Sequence, residues 1–224
     1  MLRLTPTTAV KSRRVALQLL GNHIVAAPEE LRDQVRDLTR MQLIRTCVAW
    51  RPDTSGFRDP VCATRIALKS LARRGLERND EIADLDQLIT TLVGELAPQL
   101  LAAVGIGVET AGQPLVTAGD NPARLGSEPA FAMLCAAAPL PASSGKTQRH
   151  RLNRGGDRQA NSALHLIVVT RMRVDQRTKD YLTRRIAQGH SKLEIIRCLK
   201  RYVAREIYYL LKPPTQANMK SRAA

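Results

Sequence analysis

Two adjacent serines, Ser143 and Ser144, lie in a cation-rich segment that runs from Pro139 to His165 and reads PLPASSGKTQRHRLNRGGDRQANSALH. The basic side chains around the serines are Lys146, Arg149, Arg151, Arg154 and Arg158. Ammonium and guanidinium groups suit a phosphodiester far better than a neutral substrate. The residue types therefore predict chemistry on DNA, with Ser143 and Ser144 as the candidate nucleophiles.

A second interpretation of the same segment involves no chemistry. The cations could clamp a nucleic-acid backbone while Ser144 only makes a hydrogen bond within a turn. The two interpretations use the same residues, and these residues alone leave both open.

Two familiar motifs are present near the serines only in part. Gly145-Lys146-Thr147 ends like a phosphate-binding P-loop, but Leu140 stands where the first glycine is required and no strand precedes it. Residues 143–146 also match S-x-x-K, yet neither S-D-N nor K-T-G follows. ATP binding and penicillin-type acyl transfer are therefore not predicted.

Net charge indicates the class of partner. The chain of 224 residues carries +15 at pH 7 and is 44% hydrophobic, which is typical of a folded protein that binds a polyanion. The range 146–212 holds 17 lysines and arginines against five acidic residues. No apolar run approaches the roughly 18 residues of a membrane-spanning helix. We therefore expect DNA as the partner, no membrane and a cytoplasmic location.

Glycines occur at two further places where a backbone could approach DNA. Gly105-Ile106-Gly107 separates two helical segments, and such a turn can bring its amides close to a phosphate. Gly105 and Gly107 are therefore predicted to bind DNA in a helix-hairpin-helix-like turn, with a plain inter-helix turn as the alternative. Gly155 and Gly156 are expected to let the basic loop lie close to DNA.

The elements that must position these residues are predicted to be helices. Apolar residues recur every three or four positions in four ranges, 8–22, 28–48, 63–100 and 192–211. The fold class is mostly α: a long helical hairpin or coiled coil (1–103), a compact helical domain (104–212) and a disordered tail (213–224).

Two of the predicted helices have further roles. The helix at 63–100 must bury its apolar stripe on upstream helices or on another copy of the chain, which predicts a homo-oligomer. The outer face of the last helix is expected to contact phosphates through its basic residues, which are Arg197, Lys200, Arg201 and Arg205.

The segment from about Val104 to Leu211 resembles the C-terminal domain of the insertion-sequence one-ten family of transposases, which are bridge-RNA-guided serine recombinases. The matching text is GIGVETAG, VTAGDNPARLGSE, LCAAAPLPASSGKTQRHRLNRGGDRQANSALH and SKLEIIRCLKRYVAREIYYLL. Upstream, APEELRDQ and ATRIALKSLARR are similar to the coiled-coil region of that family.

This resemblance implies a transposase in which a serine attacks a DNA phosphodiester and stays attached while strands are exchanged. The serine before the glycine matches the family nucleophile, which is Ser144 here, with Ser143 as the fallback. A guide RNA is left open as a second partner.

The resemblance also implies a part that this sequence lacks. Family members carry an N-terminal RuvC-like domain whose acidic residues hold a divalent metal, and those residues precede everything present here. We therefore expect an N-terminally truncated transposase with no metal ligands and no cofactor in this chain. The alternative is a non-catalytic, basic helical remnant that binds DNA, dimerises and modulates intact transposases.

Overall fold

The computed structural model describes residues 4–119, 125–145 and 150–212. These residues form ten α-helices, one short 3-10 helix and one two-stranded sheet. The prediction of a mostly α-helical protein is confirmed. The predicted disordered tail at 213–224 lies outside the described residues.

The chain forms two compact units, Met1–Ile89 and Thr90–Ala224. The first unit holds α1 (Leu4–Val25), α2 (Glu29–Val35), α3 (Arg40–Ala49), a 3-10 helix (Thr54–Gly56) and most of α4 (Pro60–Leu96). The division between the units falls inside α4, ahead of the domain boundary predicted after residue 103. That a functional domain begins at residue 104 stays a prediction.

An apolar core joins three helices of the first unit. Its buried members are Leu20 of α1, Ile44 and Cys47 of α3, and Leu68, Leu71 and Ala72 of α4. Leu20, Ile44 and Leu71 belong to the apolar stripes that predict these helices, since side chains three or four positions apart share one helix face.

Helices α1 and α4 run antiparallel in this unit. Arg13 Nη1 donates a hydrogen bond to Asn79 Oδ1 at 3.0 Å. Leu17 packs closely on Gly75, where an added Cβ would stand 2.9 Å from Leu17 Cδ2. Contacts that advance along α1 therefore move back along α4, as in the predicted helical hairpin.

The second unit contains the end of α4 and the remaining elements. These are α5 (Pro98–Leu101), α6 (Val108–Ala118), α7 (Glu128–Leu134), β1 (Leu140–Pro141), β2 (His150–Arg151), α8 (Arg158–Val174), α9 (Gln176–Ala187) and α10 (Lys192–Leu211). Helix α8 packs against α6 and α10, and α10 also packs against α7.

The core of the second unit lies where α7, α8 and α10 meet. The buried residues of α10 include the predicted stripe members Ile196, Leu199, Val203 and Ile207. Phe131 of α7 is fully buried, with its ring centroid 6.2 Å from that of Tyr208. Among the described helices, none is long and apolar enough to cross a membrane.

Candidate serine site and nucleic-acid interface

The two serines lie in a short β-hairpin, which we call the serine hairpin (residues 140–151). Strands β1 and β2 are antiparallel, with Leu140 opposite Arg151 and Pro141 opposite His150. Ser143 and Ser144 are both exposed. Gly145 has φ +57°, a left-handed conformation that favours glycine. The Ser144 hydroxyl is therefore accessible at a sharp bend of the chain.

Three of the five predicted cations near the serines are described, and all three are exposed. Arg151 ends β2, Arg154 lies in the following loop and Arg158 begins α8. An arginine in the first turn of a helix opposes the helix dipole, at a cost of about 0.3–1 kcal/mol. Lys146 and Arg149 lie outside the described residues.

The two ends of the serine hairpin are joined beneath it, in a region that we call the hairpin base (residues 133–138 and 153–157). The Asp157 amide donates to the carbonyl of Leu134 at 2.7 Å. Asn153 is buried, donates through Nδ2 to the Met133 carbonyl at 3.4 Å and accepts through Oδ1 from the Gly155 amide at 2.9 Å. The outgoing and returning chains are thus tied by hydrogen bonds.

Gly156 occupies a place in the hairpin base that no side chain can fit. Its φ is +95°. An added Cβ would stand 2.6 Å from the Met133 carbonyl oxygen and 2.7 Å from that of Leu134. At Gly156 the protein's own backbone makes this close approach, and contact of the loop with DNA stays a prediction.

Asp157 links the hairpin base to two helices. As the N-cap of α8 its Oδ1 accepts from the amides of Gln159 at 2.7 Å and Ala160 at 3.3 Å. Its Oδ2 accepts from Gln113 Nε2 at 2.9 Å and Thr117 Oγ1 at 2.7 Å. Since these α8 amides are already bonded, they are not available to a phosphate.

Burial and hydrogen bonding act in opposite directions on the Asp157 carboxylate. Burial raises its pKa, but the hydrogen bonds from Thr117, from the Gln159 and Ala160 amides and from Gln113 together bring it below the ordinary value. Asp157 is therefore ionised at neutral pH. For Cys135, burial and then the Asp157 charge raise the thiol pKa to about 12, so this thiol is neutral at neutral pH.

The Gly105-Ile106-Gly107 turn connects α5 to α6 and sits on α8. Gly105 has φ +75°, and an added Cβ would stand 3.0 Å from Arg171 Cγ. The Ile106 amide donates to the Ala103 carbonyl at 3.2 Å and the Gly107 amide to Thr110 Oγ1 at 2.9 Å. These two amides are used within the turn, as in an ordinary connection between helices.

Arg171 fixes this turn from the α8 side. Its Nε donates to the Val104 carbonyl at 2.7 Å, and its two terminal nitrogens bind Glu206 of α10 at 2.6 and 2.9 Å. A bidentate pair of this kind holds the guanidinium in one orientation. Nothing in the sequence singled out this arginine, because its partners come from distant parts of the chain.

The turn and the serine hairpin lie near opposite ends of α8. Gly105 packs against Ile167 and Arg171, whereas the hairpin base meets α8 at its N-cap Asp157 and at Asn161. At a rise of about 1.5 Å per residue the centres of these two contacts are roughly 15 Å apart along the helix. Gly105 and Gly107 are therefore not part of the serine site.

The predicted phosphate contacts on α10 require a correction. Lys200 is only 8% exposed, because α10 packs against both α7 and α8 and so buries a wide face. Its Nζ donates to Asn161 Oδ1 at 3.0 Å. Arg201 is ion-paired with the buried Glu128, while Arg197 and Arg205 are exposed.

Acidic residues do not gather into a metal site in the part of the chain that the structure describes. In these ranges no group of three His, Cys, Asp or Glu side chains is placed to hold an ion. On α4, Glu81 pairs instead with Arg78. The described residues therefore do not provide the ligands for the divalent metal that the resemblance assigns to family members.

One segment of the chain is similar to a known family of proteins. Residues 97–183 match the model of the IS116/IS110/IS902 family of transposases. The matched segment includes the Gly105-Ile106-Gly107 turn, the serine hairpin and the three described arginines. Helix α10 and the upstream coiled-coil resemblance lie outside it. No curated protein matches the chain.

Proposed function

We propose that this chain acts in DNA transposition and that Ser144 is the nucleophile that attacks a DNA phosphodiester. The main support for this proposal is an exposed serine next to a glycine in a left-handed conformation, followed in the sequence by three exposed arginines. The family match supports the proposal because the matched transposase segment contains the whole hairpin.

The proposed step exchanges one phosphate ester for another. Ser144 Oγ forms a bond to phosphorus while the bond from phosphorus to one deoxyribose oxygen breaks. The hydroxyl proton of the serine leaves, and the released sugar oxygen takes up a proton. Arg151, Arg154 and Arg158 would stabilise the negative charge that builds up on the phosphoryl oxygens.

The reverse step restores the serine. A sugar hydroxyl from another strand attacks the phosphoserine, and the bond from phosphorus to Ser144 breaks. Because the number of phosphate ester bonds is unchanged, the exchange needs neither a nucleotide nor a redox partner.

Trapping the covalent intermediate tests the nucleophile. The chain is incubated with DNA carrying the ends of the element that encodes it, together with an intact transposase of the matched family. We expect an adduct between this chain and DNA that resists denaturation, and we expect Ser144→Ala to abolish it. Ser143→Ala is the matched control, because it removes the neighbouring hydroxyl.

The two variants divide the possible outcomes. An adduct that survives Ser144→Ala but not Ser143→Ala would move the nucleophile by one residue. DNA binding without any adduct from the unmodified chain would instead favour a non-catalytic DNA-binding protein.

DNA affinity tests the interface separately from the chemistry. A triple change of Arg151, Arg154 and Arg158 to Gln removes three proposed phosphate contacts. We expect the slope of log affinity against log salt to become less steep by roughly three units. The matched control changes three exposed arginines of the first unit to Gln, namely Arg32, Arg45 and Arg51. Equal effects of both triples would reject a specific interface at the hairpin.

We also propose that a second copy of the chain covers the exposed leucines of α4. Leu88, Leu92 and Leu96 are 53%, 39% and 70% exposed and stand four residues apart, a spacing that places them on neighbouring turns of the helix. Light scattering should show a dimer that Leu92→Glu dissociates, whereas Val174→Glu, at an exposed valine of α8, should not.

A guide RNA is a further proposed partner. Its support is the basic charge of the chain together with the resemblance. Competition by RNA in the DNA-affinity measurement would test it.

A further inference from the structure

The chain leaves α7 for the serine hairpin through an unusual backbone conformation. Ala136 has φ +52°, a left-handed value that is unfavourable for a residue with a Cβ. Such a conformation persists only where the surrounding structure holds it. The residues that hold Ala136 therefore determine the direction in which the hairpin begins.

Asn161 of α8 bonds directly to this bend. Its Nδ2 donates to the Cys135 carbonyl at 3.1 Å and to the Ala136 carbonyl at 2.9 Å. Its Oδ1 accepts from Lys200 Nζ at 3.0 Å. Carbonyls only accept and a lysine ammonium only donates, so these partners fix the amide in one orientation.

Burying the Lys200 ammonium group is energetically unfavourable, so its presence here indicates that its hydrogen bond to Asn161 is needed. Lys200 is 8% exposed, and its hydrogen bond goes to the neutral amide of Asn161 rather than to a carboxylate. Burial and then the charge of Arg197 lower the pKa of its ammonium group. A methionine would fill the same space without burying a charge.

We infer that Asn161 and Lys200 act together as positioning residues that hold the base of the serine hairpin and thereby orient Ser144. Lys200 on α10 orients the Asn161 amide, and Asn161 on α8 holds the two carbonyls where α7 ends. The role in orienting Ser144 rests on the proposed function. That Asn161 and Lys200 hold the hairpin base does not depend on the proposed function, because it follows from their hydrogen bonds.

Hydrogen exchange measured by mass spectrometry on the full chain tests the hold without requiring catalysis. In Lys200→Met we expect backbone amides of the serine hairpin to exchange about tenfold faster, while the cores of α8 and α10 stay protected. Lys192→Met is the matched control, since it removes an exposed lysine from the same helix. It should leave the hairpin unchanged.

A second variant separates positioning from folding. Asn161→Asp keeps an acceptor for Lys200 but replaces the two bonds to carbonyls by repulsion. We expect faster exchange in the hairpin with little change in the melting temperature. If Lys200→Met does not fold, hydrogen exchange in Asn161→Asp still tests whether Asn161 holds the hairpin base. Unchanged hairpin exchange in Asn161→Asp would overturn the inference.

The adduct assay then connects the hold to chemistry. Both variants should form the Ser144 adduct at least about tenfold more slowly while their affinity for DNA stays within about twofold of the unmodified chain. Faster hairpin exchange with an unchanged adduct rate would overturn the orienting role. If the unmodified chain gives no adduct at all, the proposed nucleophile fails, and the exchange result still decides whether the two residues hold the hairpin base.

Discussion

Two left-handed glycines of the second unit, Gly105 and Gly156, differ in what surrounds them. Gly156 faces backbone atoms at 2.6 and 2.7 Å, whereas Gly105 faces the flexible side chain of Arg171 at 3.0 Å. Backbone at Met133 and Leu134 is held by the hairpin base, whereas the Arg171 methylene Cγ can shift slightly while its guanidinium stays bonded to Val104 and Glu206. The same residue type is therefore indispensable in one turn and replaceable in the other.

Gly156→Ala gives the sharpest test of this difference. Left-handed strain and collision with two carbonyls should destabilise the protein by about 2–5 kcal/mol. Urea unfolding measures the loss. Gly155→Ala is the control, because a Cβ there would meet only Asn153 Oδ1 at an ordinary 3.5 Å. Equal losses in both variants would mean that the contact with residues 133–136 is unimportant.

Asp157→Asn should come next in magnitude. With its Oδ1 capping α8, the asparagine has an NH2 group in place of Oδ2, and this group accepts from neither Gln113 nor Thr117, which should cost about 1–3 kcal/mol at neutral pH. The lowered pKa means that the carboxylate stabilises the fold fully above the unfolded-state value of about 3.9. This stabilisation is lost as pH falls through the lowered folded-state value.

The pH dependence of Asp157→Asn therefore has a definite sign. The difference in melting temperature between the unmodified chain and the variant should be largest at neutral pH and should shrink below about pH 4. A difference that grows on acidification would show that the Asp157 carboxylate does not stabilise the folded state.

Gly105→Ala should cost less than Gly156→Ala. The left-handed φ accounts for about 1–2 kcal/mol, and Arg171 can shift to relieve the contact. Urea unfolding again gives the value. A loss as large as that of Gly156→Ala would show that the bonds from Arg171 to Val104 and Glu206 make its side chain as unyielding as backbone.

Gly107→Ala should have the smallest effect on stability. Its φ is −99° and open space surrounds the position of a Cβ, so the change should stay within about 1 kcal/mol and can be stabilising. DNA affinity is the informative readout. Weaker DNA binding at unchanged stability would favour the helix-hairpin-helix-like role, and unchanged binding would favour a plain turn.

Much of the helical framework could be predicted from the spacing of apolar residues. The stripe members Leu20, Leu71 and Ile207 are buried as expected, because helix periodicity is a local property of the sequence. Other members of the predicted stripes, such as Leu19 of α1 and Leu92 and Leu96 of α4, are exposed. The serine hairpin was missed, since strands of two residues are too short to show an alternating pattern. Exposure of Ser144 also had no signal in the sequence.

The polar contacts of the site could not be predicted. Lys200 lies off the predicted apolar stripe of α10 and is expected on its outer face, yet it is buried and bonds to Asn161, which lies on a helix distant in sequence. Arg171, Asn153 and Gln113 likewise acquire their roles from partners that only the folded chain brings near. Such hydrogen bonds depend on tertiary structure and produce no periodic pattern in the sequence.

The hydrogen bonds at the hairpin base also bear on how this protein can vary. Because the chain is tied where it leaves and where it returns, we expect the exposed residues 142–145 to contribute little to the stability of the helices. Replacements at these positions should therefore be tolerated far better than in the buried core of the second unit. Under the proposed function, divergence there would alter the chemistry of the protein while its architecture is inherited intact.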